Sequence, residues 1–166
     1  MKKLSVLLVA LFGMVQAVSA QKPMASPAET VSGKINGATV TINYGSPSVK
    51  GREIWGKLVP FDKVWRAGAN EATTFETDKQ ITVEGMKLAP GKYSLFVIPN
   101  EKQCTIIFNK VAKQWGAYDY KEKEDELRIK VAAKTKTDVT EKLLFELSAD
   151  GAALVWEKWT IGFGIK

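Results

Sequence analysis

The stretch Pro90-Gly91-Lys92-Tyr93-Ser94-Leu95-Phe96-Val97-Ile98-Pro99-Asn100 decides how this chain folds. Turn dipeptides close it at both ends, and the residues between are apolar on both alternating faces of a strand. It reads as a central strand, covered above and below. Outward from it the sequence keeps a period of two. Upstream, Val40, Ile42 and Tyr44 alternate with Thr39, Thr41 and Asn43 behind the hairpin dipeptide Asn36-Gly37. Phe75 and Thr77 lead through Asp78-Lys79 to residues 80–83, which Glu84-Gly85 ends. Downstream, residues 104–109 return. Leu127, Ile129 and Val131 alternate with Arg128 and Lys130, and Leu143, Phe145 and Leu147 repeat the style. Beyond Asp150-Gly151 the chain comes back through residues 153–159, then alternates Ile161, Phe163 and Ile165 with Thr160, Gly162 and Gly164.

About eight to ten short strands without a helical moment predict an all-β domain, an antiparallel β-sandwich or jelly-roll-like fold with two long loops. Those loops run from Gly45 to Ala72 and from Lys110 to Asp125. Connections beyond roughly 12–15 residues are uncommon in compact domains and often functional. Both are aromatic-rich: Trp55, Phe61 and Trp65 in the first, Trp115, Tyr118 and Tyr120 in the second. Such rings either bind a ligand or plug the open ends of a sandwich.

The start of the chain carries a different message. Lys2 and Lys3 precede an apolar run from Leu4 to Val18, and Val18-Ser19-Ala20 offers a small-x-small exit. That is the layout of a secretory signal peptide, here residues 1–20, cut between Ala20 and Gln21. The run falls short of the roughly 20 residues of a membrane span, so a periplasmic or secreted protein without stable membrane insertion is expected. Residues 21–30 are Pro/Ala/Ser-rich and read as a flexible tether, leaving residues 31–166 as a single β-rich domain.

Composition excludes more than it indicates. The formal net charge is +6 at pH 7, two units of it from the leader's lysines, and the rest are scattered without a basic cluster. No nucleic-acid partner is expected. Cys104 is the only cysteine, which rules out an internal disulfide, and its apolar run suits a small buried hydrophobe. With no histidine anywhere, a Ser-His-Asp triad, a Cys-His pair and every His-ligated metal site are excluded. The reading leans against an enzyme. It expects no catalytic residue, no metal and no cofactor.

The densest binding chemistry lies in residues 64–77, Val-Trp-Arg-Ala-Gly-Ala-Asn-Glu-Ala-Thr-Thr-Phe-Glu-Thr. Arginine is scarce, and two of its three positions, Arg52 and Arg66, fall in the first long loop. A guanidinium there suits a carboxylate, phosphate or sugar diol, or an internal clamp from Arg66 to Glu71. Glu71 beside Trp65 is the carboxylate suited to sheltered proton-transfer chemistry. Candidate ligand-binding residues are therefore Arg52, Trp65, Arg66, Asn70, Glu71, Thr73, Trp115 and Tyr118. Asn70, Glu71 and Asp62 also offer oxygens to a cation, but no calcium-loop motif accompanies them.

Several of these runs together carry a family resemblance. Residues 46–52 (Ser-Pro-Ser-Val-Lys-Gly-Arg), 58–61 (Leu-Val-Pro-Phe), 63–66 (Lys-Val-Trp-Arg) and 68–73 (Gly-Ala-Asn-Glu-Ala-Thr) resemble the DUF 2911 family. Pro90-Gly91, Tyr93-Ser94-Leu95-Phe96, Ile98-Pro99, Phe108-Asn109 and Gln114-Trp115-Gly116 are similar to further parts of it. The resemblance implies export from a Gram-negative bacterium, chiefly of the Bacteroidota, and a β-rich domain. It transfers no activity. Three functional expectations stand: a binding module for a saccharide or small acidic ligand; a carboxylate-dependent glycan hydrolase built on Glu71; or an envelope protein-interaction domain that accepts a strand beside Gly162 and Gly164.

Overall fold

The computed structural model describes residues 25–166; the leader, its cut site and the tether up to Met24 lie outside the described residues. Ten strands follow in order: β1 (Ala28–Ile35), β2 (Ala38–Gly45), β3 (Thr74–Thr77), β4 (Ile81–Val83), β5 (Met86–Leu88), β6 (Gly91–Ile98), β7 (Cys104–Asn109), β8 (Asp125–Val131), β9 (Ala133–Ser148) and β10 (Gly151–Gly164). Among the described residues the one helical piece is a 3-10 turn, Glu122–Glu124. All strand pairs are antiparallel, and the chain is all-β and sandwich-like. Residues 28–30, read from composition as part of a flexible tether, are strand instead. β1 already includes Ala28, Glu29 and Thr30, because Glu29 and Thr30 find cross-strand partners in Tyr44 and Asn43. Nor are all strands short: β9 and β10 form a long ribbon whose register slips on both sides of Glu157.

One sheet has six strands in the order β1-β2-β3-β6-β7-β8. Its hairpin β1–β2 turns on Asn36 and Gly37, both at positive φ (49° and 83°), the conformation that Asn-Gly tolerates best. Across the sheet, Val31, Ile42, Phe75 and Tyr93 stand in register on one face. Leu95, Phe108 and Leu127 form a second row, and Val97, Ile106 and Ile129 a third. This inner face is closed by the β9–β10 ribbon, which contributes Leu143, Phe145, Leu154, Trp156, Ile161 and Phe163 to the same core. Phe163 meets Phe75 and Phe108 at ring distances of 6.3 and 5.9 Å, so the two layers interlock through aromatic edges. The end of β10 is not a free edge. Lys166 and Thr82 exchange backbone hydrogen bonds, and the Ile165 N–H donates to the Asp150 carbonyl. Gly164 is tied into this closure: its carbonyl accepts from the Glu84 N–H (3.1 Å), and its N–H donates to Glu84 Oε1.

The first long loop is pinned rather than free. Residues 47–49 add to β9 through Val49 N–H to Glu141 and Leu143 N–H to Pro47 (2.8 and 2.9 Å), and Trp65 exchanges two backbone hydrogen bonds with Val97 of β6. Trp55, Phe61 and Trp65 join Trp156 and Trp159 in one aromatic plug. Trp159 is stacked between Trp55 (4.6 Å) and Phe61 (5.9 Å), and Trp65 stacks on Trp156 (5.9 Å).

The opposite face of the six-stranded sheet has a cover of its own. Phe96 and Ile107 are cross-strand neighbours pointing away from the ribbon, yet both are fully buried. Ala72, Val64, Ile98, Ala117 and Tyr120 close over them. Phe96→Ala should therefore cost about 3–5 kcal/mol in urea unfolding. It should also raise amide exchange selectively in residues 64–72 and 115–120, leaving β9 and β10 protected.

Candidate functional site

The covering loops meet in a short clasp. The Ala72 N–H donates to the Gln114 carbonyl (3.0 Å) and the Gly116 N–H to the Asn70 carbonyl (3.2 Å), with Glu71 opposite Trp115. The turn leading into it is tight: Ala67 and Asn70 have φ of 53° and 63°, and Thr73 caps it with hydrogen bonds from N–H to the Arg66 carbonyl and from Oγ1 to the Ala67 carbonyl. The turn lies directly on β2. A side chain at Gly45 would meet the Ala69 carbonyl at 2.2 Å, so only glycine permits this approach.

Beside the clasp lies a groove of about 610 Å³ on the outer sheet face. Its sheet side is Glu29, Thr30, Asn43, Tyr44, Thr74 and Lys92; its loop side is residues 69–72 and 112–114. The floor belongs to a polar row that crosses the whole sheet in register: Thr30, Asn43, Thr74, Ser94, Asn109, Asp125. Thr30 Oγ1 donates to Asn43 Oδ1 (2.8 Å), and Asn43 Nδ2 donates to Thr74 Oγ1 (3.3 Å).

The structure divides the sequence-derived candidates. Asn70 and Glu71 line this groove. Trp65 does not, because its backbone pairs with Val97 and its ring turns into the aromatic plug. Thr73 is fully buried and serves the turn. Arg66 forms no ion pair with Glu71; its Nε is buried and has no partner among the described residues. Glu71 is exposed instead of sheltered by Trp65. Arg52 donates through Nε to the Val49 carbonyl (3.0 Å) and through Nη2 to that of Ser48, and it borders a separate groove with Trp55, Phe61 and Trp159. Trp115 and Tyr118 are 58% and 82% exposed, on the outer side of the clasp, and do not line the groove. Sequence reasoning missed Glu29, Thr30, Asn43, Thr74, Lys92, Lys113 and Gln114. For Thr30, Asn43 and Thr74 the signal is the polar row, which exists only once the strand register is known; Glu29, Lys92, Lys113 and Gln114 lie outside that row.

The second loop is held by Asn109, which is fully buried. Its Nδ2 donates to the Lys121 carbonyl (3.1 Å) and Asp125 Oδ1 (2.8 Å), while its Oδ1 accepts from Val111 N–H and Gln114 Nε2 (both 3.1 Å). Tyr120 donates to Asp125 Oδ2 (2.6 Å), which Arg128 also contacts (2.9 Å). Burial, reinforced by that hydrogen bond to a carboxylate, raises the Tyr120 pKa well above the ordinary 10.0. A raised phenol pKa means that the fold favours the protonated form. Its contribution is thus complete below pH 10.0 and is lost as pH rises toward the folded-state value. Tyr120→Phe should flatten this part of the alkaline decline in Tm, measured from about pH 8 to 11. Tyr44, Tyr93 and the Cys104 thiol, whose pKa values burial also raises, contribute to the decline that remains. Asn109→Ala, which strands several buried partners at once, should cost about 2–3 kcal/mol and loosen residues 110–120 in amide exchange.

No curated protein and no solved structure shows a significant match to this chain. A family model described as Protein of unknown function (DUF2911) matches residues 26–165, from the last residues before β1 to the end of the β10 closure. The chain belongs to that family.

Proposed function

We propose that this protein is an exported binding module whose outer-face groove takes a small polar ligand, of the saccharide or small-acid classes read from the sequence. The observation that carries this reading is the groove's construction. Its floor is a hydrogen-bonded row of short polar side chains on rigid strands, and its rim is a backbone-locked clasp. Ligand sites are concave and largely preformed, with a few placed polar groups, and this groove has the volume for a small molecule. Export, to the periplasm or outside the cell, is supported by the leader-like layout of residues 1–20.

A hydrolase is the second reading, and one observation favours it: Glu29 and Glu71 line the same groove. Two carboxylates about a groove are the minimum equipment of a glycosidase. Both are exposed, however, whereas the general acid of such an enzyme sits in an apolar pocket. Binding without turnover is the simpler account.

Thermal melting of the purified protein against sugars and small acids tests the reading. A ligand at about a hundred times its Kd adds about 2.7 kcal/mol, on the order of 5–10 °C for a domain of this size. The shift should vanish in Asn43→Ala and Glu71→Ala and persist in Trp115→Ala. A flat panel with a cooperative melt would refute the binding site. Release of reducing sugar, lost in Glu71→Gln, would replace the binding module with the hydrolase.

A further inference from the structure

Gln114 holds an acceptor that the fold does not satisfy. The residue is 8% exposed and lines the groove. Its Nε2 donates to the Val111 carbonyl (2.7 Å) and to Asn109 Oδ1 (3.1 Å). Both partners are acceptors, and Asn109 is itself fixed, since its Nδ2 faces the Lys121 carbonyl and Asp125. The Gln114 amide therefore cannot be turned around without setting oxygen against oxygen. Its Oε1 is left buried, with no partner among the described residues. A buried acceptor in that state costs roughly 1–3 kcal/mol, which a ligand donor recovers when it displaces the neighbours that cover the oxygen from the groove.

Charge narrows the donor. The groove is lined by Glu29 and Glu71 against Lys92 and Lys113, so it carries no excess of either sign. Lys92 is already engaged with Glu76 (3.4 Å) on the sheet surface. The two guanidinium groups of the first loop, the groups best suited to a carboxylate, lie elsewhere: Arg52 borders the other groove, and Arg66 lines neither. What remains for a ligand is neutral hydrogen-bonding capacity: Thr30 and Thr74 hydroxyls, the Asn43 and Asn70 amides, and the Gln114 oxygen. Hydroxyls that both donate and accept, on a compact ring, match that set.

Resting on the binding reading above, we propose that the groove selects a neutral polyhydroxylated ring, a saccharide unit without a carboxylate, and that a ligand hydroxyl donates to Gln114 Oε1. The test is a calorimetric titration of the purified protein with D-glucose, D-galactose and D-mannose, each beside the uronate of the same stereochemistry. At least one neutral hexose should bind about tenfold or more tightly than its uronate, and Gln114→Met should weaken that binding about tenfold. The same variant should keep a cooperative melt and unchanged groove-distant amide exchange, which separates lost recognition from lost fold. Binding of a uronate in preference to its hexose would overturn this selectivity while leaving the groove a ligand site. Hexose binding that Gln114→Met leaves intact would overturn the Gln114 role. Absence of all binding would overturn the groove itself.

Discussion

Phe96 and Ile107 set the constraint on which the rest of this structure depends. They sit side by side on the central strands β6 and β7 and face away from the β9–β10 ribbon. A sheet with one covered face would leave both side chains in water. Burying a Phe or Ile side chain contributes about 1.5–3 kcal/mol, enough to organise a loop that would otherwise have no reason to order. Residues 64–72 and 115–120 are drawn over these two side chains. The clasp between Ala72 and Gln114 follows, because loops drawn to one small apolar patch leave backbone groups that must pair with each other.

The cover is local, and the groove is its margin. Over β6 and β7 the outward residues include the covered apolar side chains Phe96, Ile98 and Ile107 beside the buried polar pair Ser94 and Asn109; over β1, β2 and β3 they are Thr30, Ser32, Thr41, Asn43, Thr74 and Glu76, which need no cover. Where the apolar patch ends, the clasp ends, and its edge stands over a polar floor. The groove is thus a consequence of how two kinds of outward face meet within one sheet. Backbone contact at Gly45 and the buried amide of Asn109 hold the two sides of the margin in place. A groove assembled from strands and backbone hydrogen bonds starts close to its bound shape, which lowers the ordering cost of binding.

Much of this was legible in the chain. The apolar run at residues 93–98 announced a strand with covers on both faces, and the alternating segments around it announced the partners. What could not be read was register. The polar row from Thr30 to Asp125 is drawn from six strands and has no signature in any one of them. The slips about Glu157, itself at φ 52°, likewise hid the length of the ribbon. In the dense motif of residues 64–77, adjacency suggested that Trp65, Arg66, Asn70 and Glu71 act together. The tight turn, with Ala67 and Asn70 at positive φ, parts them: the indole went into the core while Asn70 and Glu71 went to the groove. Gln114, with the least conspicuous chemistry of the group, acquires its meaning from the Val111 carbonyl and from Asn109, five residues away on β7.

The account's central claim is that the margin of the outer cover is the ligand site. Amide chemical shifts of the labelled protein, titrated with neutral hexoses, test it most directly. Perturbations that converge on Asn43, Asn70, Glu71, Thr74, Lys113 and Gln114, with β9 and β10 silent, are the predicted result. Perturbations confined to the separate groove of Trp55, Phe61 and Trp159, or none at saturating sugar, would contradict it.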